Sequence, residues 1–324
     1  MSPRAWIAFA AVSTLWGIPY LFIKIAVDDG VSPGFLAWVR VVLGGAVLLG
    51  LAWSAGGLLK ELRGRWRWLA VFAVIEIVIP FPLIAAGEQH VDSSLAAIIV
   101  AAAPLFVALL ALRFDDSERV SGTRLAGLLV GLAGVVALVG IDATGSRAEA
   151  LGAGAILLSA FCYAVGPMIL KRHLADLDPR ASMGAALAIA AVVLTPAAAL
   201  APPETAPSAE AIVSLVVLGI FCTAAAFAFY GALVAETGAG RALVITYIAP
   251  VVAVALGIAV LGERPGAGAA AGLLLILAGS WLATGGRMPP GPGRRRAGTV
   301  RSARTRSPTP TPRAPASPSR EPAA

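Results

Sequence analysis

The 324-residue chain is 58% hydrophobic and only 13% charged, whereas soluble domains run at about 25% charged. Such a chain lacks the polar surface of a soluble enzyme or binding module, and a lipid bilayer is its expected solvent. The net charge of +7 sits at one end: residues 287–324 hold nine arginines and one acid, Glu321. Their Pro/Ser/Thr/Arg composition predicts a disordered basic cytoplasmic tail that sets topology, with no specific nucleic-acid binding.

A helix crosses the hydrocarbon core with about 20 mainly apolar residues, because its backbone polar groups must pair within the segment. Charge-free runs cover 5–23, 41–59, 93–112, 125–141, 150–170, 181–203, 211–235, 242–262 and 265–286, and a further run, 68–87, is interrupted only by Glu76. The second run is expected to begin near Pro33. The prediction is an all-α integral membrane protein with ten transmembrane helices. The first run is too long for a signal-peptide core and contains Pro19 and Lys24, so it reads as a retained span.

In chain order, the first span carries Trp16, Tyr20 and Lys24 at i, i+4, i+8, sharing one face if Pro19 leaves the helix continuous. Snorkelling to the interface is the plainer reading of Lys24. The second span places Arg40 about 10 Å past Pro33, at 1.5 Å per residue. Three roles are open to it: binding a substrate carboxylate, pairing with Glu76, or serving as a structural arginine. In the third span Glu76 is the only deep carboxylate, where a charge costs on the order of 3 kcal/mol unless protonated, paired or hydrated. It reads as a proton-coupling or amine-binding group, or as a structural acid. His90, between Glu88 and Asp92, reads as an outer loop and not as a metal site.

Prolines inside spans release the carbonyl four residues earlier. Pro19 and Pro167 occupy corresponding spans, the first and sixth, as do Pro104 and Pro250 in the fourth and ninth. Paired broken helices are a pointer to a transporter's binding site, although packing kinks are the competing reading. Tyr163, Tyr230 and Tyr247 fall in the sixth, eighth and ninth spans and would add aromatic wall. Gly127, Gly131 and Gly134 in the fifth span, and Gly268, Gly272 and Gly279 in the tenth, permit close helix approach. Those two spans read as scaffold, with a homodimer contact left open. Cys162 and Cys222 lie in apolar runs and imply no disulfide or metal site.

Lysine and arginine fix the orientation. With a cytoplasmic N-terminus, the inner segments hold Arg4, Lys60, Arg63, Arg65, Arg67, Arg113, Arg119, Arg124, Lys171, Arg172, Arg180, Arg241 and the tail, against Arg147 and Arg264 outside. Both termini are therefore expected in the cytoplasm. The chain also repeats. Glu118-Arg119, followed by seven residues and Gly127-Leu128-Leu129-x-x-Leu132-Ala133-Gly134, returns as Glu263-Arg264, seven residues and Gly272-Leu273-Leu274-x-x-Leu277-Ala278-Gly279. Five spans per half is an odd number, so the second copy enters the membrane upside down. The expected organisation is an inverted repeat of residues 1–145 and 146–286, then the tail from 287.

Several stretches resemble the drug/metabolite transporter superfamily, specifically its EamA-like branch: Leu15-Trp16-Gly17 with Lys24; Pro33 with Arg40; Leu95-Ala96-Ala97 with Pro104-Leu105-Phe106; and Tyr247-Ile248-Ala249-Pro250 with Leu261-Gly262-Glu263-Arg264. The similarity covers about residues 5–286. Asp115-Asp116-Ser117 departs from the apolar-Gly pair more usual before the acid. The resemblance implies a 5+5 fold and a central cavity. It also implies export or exchange of amino-acid-like compounds, drugs or other small metabolites by alternating access, with no cofactor. No Gly-rich loop ending in Gly-Lys-Ser/Thr occurs, so ATP-driven pumping by this chain has no support. The competing class is a non-transporting membrane protein, such as an intramembrane enzyme or receptor. The enzyme would need a nucleophile–base pair or metal cluster, and the chain has two histidines and neither a His-Glu-x-x-His nor a Gly-x-Ser-x-Gly motif.

Overall fold

Proline at the first helical turn costs no hydrogen bond, because that N–H has no intrahelical partner anyway, and it opens many of these helices. The computed structural model describes residues 2–54, 62–114, 122–142, 146–237 and 244–283. The first rod is α1 (Pro3–Leu15) and α2 (Pro19–Asp28), broken at residues 16–18. α3 (Pro33–Ser54) is unbroken. α4 (Trp66–Ala73), a π-helical turn (Val74–Val78) and α5 (Pro80–Glu88) make the next rod. α6 (Ser93–Val100) and α7 (Ala103–Phe114) follow, broken just before Pro104, and then α8 (Gly122–Asp142).

The second part begins with α9 (Arg147–His173) and α10 (Pro179–Leu200). α11 (Ala209–Val216), a longer π-helical stretch (Val217–Ala225) and α12 (Ala226–Thr237) form one rod, followed by α13 (Ile245–Leu261) and α14 (Ala267–Ala283). No strand occurs among the described residues. Side-chain caps mark several starts: Ser146 accepts from the Glu149 N–H, and Ser208 from that of Ala211. Asp178 accepts from Arg180 and Ala181. Partial burial works to raise the Asp178 carboxyl, but those two N–H groups and the Arg180 guanidinium hold it below the usual carboxylate range.

Seven segments are long and apolar enough to cross a bilayer: Pro3–Asp28, Pro33–Ser54, Trp66–Glu88, Ser93–Leu110, Arg147–His173, Pro179–Leu200 and Ala209–Thr237. Three further apolar helices, Gly122–Leu138, Ile245–Leu261 and Ala267–Ala283, are shorter. Large apolar side chains such as Trp53, Val136, Val192 and Leu274 are about 70% exposed; in water they would be an aggregation liability, and in lipid they are solvated.

The helices pair in a reciprocal pattern. α3 packs on α10, and α8 on α14. α9 lies against α5, while α1 lies against α12 and α2 against α11. α13 packs on α6. Each hydrophobic cluster mixes early and late residues. Phe72 and Ile77 meet Leu187 and Leu194; Leu105 and Leu138 meet Ile156 and Ile276. Ile23 and Leu36 meet Leu215 and Leu218; Phe9 and Val12 meet Leu233 and Ile245. Residues before and after 145 therefore share their cores instead of forming separate packed bodies. The small-residue faces of α8 and α14 are filled by each other: a Cβ on Gly127 would lie 2.8 Å from the Gly279 carbonyl, and one on Gly272 3.2 Å from that of Gly134.

Two sequence expectations change. Pro167 and Pro250 lie inside helices that run on without a break, since neighbouring packing holds both flanks in line. The matching irregularities are instead the π-helical turns at Val74–Val78 and Val217–Ala225. Glu118, Arg119, Lys60, Arg241 and the basic tail lie outside the described residues.

Glu263, read from sequence as a marker of the repeat, has a structural task. Gly262 ends α13 in the left-handed conformation, φ 67°, which glycine adopts without steric cost. The chain then turns Glu263 onto the start of α6, where its carboxylate accepts from Ser93 N at 2.8 Å, from Ser94 N at 3.0 Å and from the Ser94 hydroxyl. An anion at a helix N-terminus satisfies orphan N–H groups and faces the positive end of the dipole. Glu263→Gln should lower stability by about 1 kcal/mol, read as a lower melting temperature in detergent micelles.

Candidate functional site

The break after Leu15 decides where the first-span residues go. Trp16 stands in the break, so Trp16, Tyr20 and Lys24 do not share one uninterrupted helix face as the spacing allowed. Gly17 beside it lets the chain approach α13, where an added Cβ would meet the Ala249 carbonyl at 2.8 Å. Trp16 turns to α12, its ring 5.0 Å from that of Tyr230 and 5.6 Å from Phe227. Tyr247 packs in the same cluster, and its hydroxyl donates to the Ser280 carbonyl at 3.3 Å.

Glu76 lies within the first π-helical turn, where Ile79 N–H bonds back to Val74 O at 3.0 Å. Pro80 follows, so the Glu76 carbonyl lacks the amide donor four residues on that an α-helix would supply. Its carboxylate makes no hydrogen bond or ion pair with any described residue, and Oε2 is fully buried. It sits against Gly166 of α9, where a side chain would collide with the carboxylate. Cys162, Tyr163 and Tyr230 are its electrostatic neighbours.

Arg40 is buried on α3, 7% exposed. Of the three roles the sequence leaves open, the pair with Glu76 does not form. Instead Nε donates to Thr223 Oγ1 at 2.9 Å, and the guanidinium carbon lies 3.9 Å from the centre of the Phe81 ring, a cation–π contact. Thr223 belongs to the second π-helical stretch and donates in turn to Leu218 O at 2.8 Å. The two terminal nitrogens of Arg40 bond no described residue, which leaves a planar fork of donors facing Tyr20 and Tyr163 in electrostatic range. Such a fork matches a carboxylate or phosphate.

Lys24 is engaged at the end of α2, 3.0 Å from Asp28 Oδ1 and donating to Glu88 O at 2.9 Å. Trp16 packs on Tyr230, and Tyr230, Glu76, Tyr163, Arg40, Tyr20, Glu88 and Lys24 each lie in electrostatic range of the next. Tyr247 lies to one side, beyond Trp16. Pro19 and Pro104 stand at helix breaks, and Pro167 follows directly after Gly166 of α9. Sequence reasoning missed Phe81, Thr223, Phe227 and Glu88. Only Glu88 carries a signal, a carboxylate at the end of an apolar run, which the sequence alone does not separate from a loop residue.

The arrangement offers one cationic fork and, at the first π-helical turn, an unpartnered carboxylate with aromatic rings in range. It suits reversible binding of small polar or amphiphilic molecules. The EamA-like transporter family model matches residues 4–140 and again residues 150–285. An uncharacterized transporter of Archaeoglobus fulgidus is 24% identical over 88% of this chain and 98% of its own length. The uncharacterized inner membrane transporter YedA of Escherichia coli is 28% identical over 79% of this chain and 82% of its own length. Protein PagO of Salmonella typhimurium is 25% identical over 77% and 83%. A solved crystal structure aligns with a TM-score of 0.63 at 24% identity, covering 88% of this chain and 98% of that one, which shows a common fold. The chain belongs to the EamA-like transporter family, and seven of its described segments are long and apolar enough to cross a membrane.

Proposed function

We propose that this transporter is a secondary exporter or exchanger of small metabolites, amino-acid-like compounds or drugs, working by alternating access. One observation carries the reading: the terminal donor fork of Arg40 and the unpartnered carboxylate of Glu76 lie in electrostatic range of aromatic side chains from both parts of the chain, Tyr20 from the first and Tyr163 and Tyr230 from the second, with Trp16 packed on Tyr230. The three shorter apolar helices complete ten membrane crossings, arranged as two inverted five-helix repeats of residues 1–145 and 146–286, with both termini in the cytoplasm. The reciprocal helix pairs, the π-helical irregularities in the third and eighth rods and the double family match support this organisation. Inverted repeats allow two bundles to rock about a site between them. Arg40 would take the anionic part of a substrate, Glu76 a proton or the cationic part, and the rings its apolar body.

Two measurements test the reading. Proteoliposomes carrying the purified chain should give saturable, trans-stimulated flux of radiolabelled metabolites; their turnover without flux would sink the carrier assignment in favour of an enzyme. In a Cys162→Ala/Cys222→Ala background, a membrane-impermeant thiol reagent should label Arg264→Cys from outside intact cells. Glu118→Cys should react only after permeabilisation. Labelling of both from one side would exclude the inverted repeat.

A further inference from the structure

A second buried carboxyl lies on the same rod as Glu76. Glu88 ends α5, twelve residues further on, about 18 Å along the axis at 1.5 Å per residue. It is fully buried, 0% exposed, and neither of its oxygens has a hydrogen-bond partner. Cations lie close, but neither bonds the Glu88 carboxyl. Lys24 binds Asp28 and the main-chain carbonyl of Glu88 itself, leaving the carboxyl without an ion pair. Arg40 is held by Thr223 and Phe81.

The remaining groups around Glu88 are acidic, phenolic or apolar. Tyr20 and Asp28 face it from α2, and Glu263 from the end of α13. Asp92 stands at the N-cap position of α6 without a side-chain capping bond, and Glu149 on α9 faces Asp92. Next to Glu88, Gly87 is covered by the Ile156 side chain and the Gly152 carbonyl, and the exposed His90 passes over Gly152. An ionised carboxylate sealed among these groups without a partner costs far more than a neutral carboxyl in the same place. The same end of the bundle is drawn shut by the Glu263 bonds to Ser93 and Ser94.

We propose that Glu88 is a proton-binding site of the transport cycle, occupied while this end of the bundle is closed and emptied when it opens. The proposal rests on the alternating-access reading. On opening, the Glu88 O–H bond breaks, the proton passes to water entering the gap, and the ammonium of Lys24 moves from Asp28 to the new carboxylate. The closed form then holds one proton more than the open form. Raising the pH depletes the closed form by up to about tenfold per pH unit while this single site titrates.

The test needs no substrate. Spin labels at Gln89 and Arg264, on either side of the Glu263 tie, are introduced into the full chain lacking Cys162 and Cys222 and reconstituted in nanodiscs. Their distance distribution is recorded at mildly acidic and mildly alkaline pH. The short-distance population should fall as pH rises, and Asp92→Asn should keep that response. Glu88→Gln should hold the acid distribution at both pH values, and Glu88→Met gives a second neutral side chain of similar size should glutamine fail to fold. A wild-type distribution insensitive to pH, or a response unchanged in the neutral variants, overturns the proposal. Loss of the response in those variants, in a chain that carries no flux in liposomes, would leave the proton site standing and remove the transport reading.

Discussion

Gly279→Ala is expected to deplete folded protein more than any other single methyl addition considered. A Cβ there would lie 2.6 Å from the Gly127 carbonyl and press on the main-chain nitrogen of Gly131. Both obstacles are backbone of α8, which cannot swing aside as a side chain would. Relief requires separating α14 from α8, and with it the packing of Leu138 and Ile276. Overpacking of this kind costs about 1–3 kcal/mol, and helix association in lipid has little hydrophobic driving force to offset it. The comparison is Gly154→Ala on α9, where an added Cβ meets open space; alanine is the better helix former there by about 1 kcal/mol. Size-exclusion profiles after a heat step should show Gly279→Ala losing its monodisperse peak at a lower temperature than wild type, with Gly154→Ala unchanged or improved. Equal melting of the two variants would mean that the α8–α14 contact is not close.

The second large effect is functional. Gly166→Ala should cut transport steeply while sparing the fold. Its Cβ would displace the Glu76 carboxylate, the far end of a flexible side chain, so the helices need not part. Displacing a working group by about 1 Å can cost a hundredfold in an enzyme, and a loss on the order of tenfold in flux is expected here. Glu76→Gln should give the same loss together with loss of drive by a pH gradient. Wild-type flux in Gly166→Ala would show that the position of this carboxylate is immaterial.

Much of this fold was legible as runs of uncharged residues. Seven of the runs fall in segments long enough to cross a bilayer and three in shorter apolar helices, and Pro19 and Pro104 announce real breaks because each follows a turn that the structure leaves irregular. Pro167 and Pro250 mislead for a physical reason. A missing N–H does not stop a helix whose flanks are both held by neighbours, and no local pattern reports those neighbours. The π-helical stretch at Val217–Ala225 has no proline at all; it answers to the packing of α3, where Leu43 and Arg40 O approach Gly219. The site was legible in its ionic members, since Arg40 and Glu76 are rare charges in apolar runs. Their partners were not: the pairing of Arg40 with Thr223 joins residues 183 apart. Glu88 escaped notice because sequence alone does not separate a carboxyl at a helix end in water from one sealed beneath the loop beside it.

The two π-helical turns have a further mechanical meaning. Each closes its ring to the fifth residue back, so it stores one residue beyond what an α-helical turn holds. Handing that surplus to the adjacent turn rotates the intervening side chains by about 100°, while the rod keeps its length and its ends. Glu76 and Thr223 ride on these turns. A screw of one residue would present or withdraw the acid and release the clasp on Arg40, without any tilt of the surrounding scaffold.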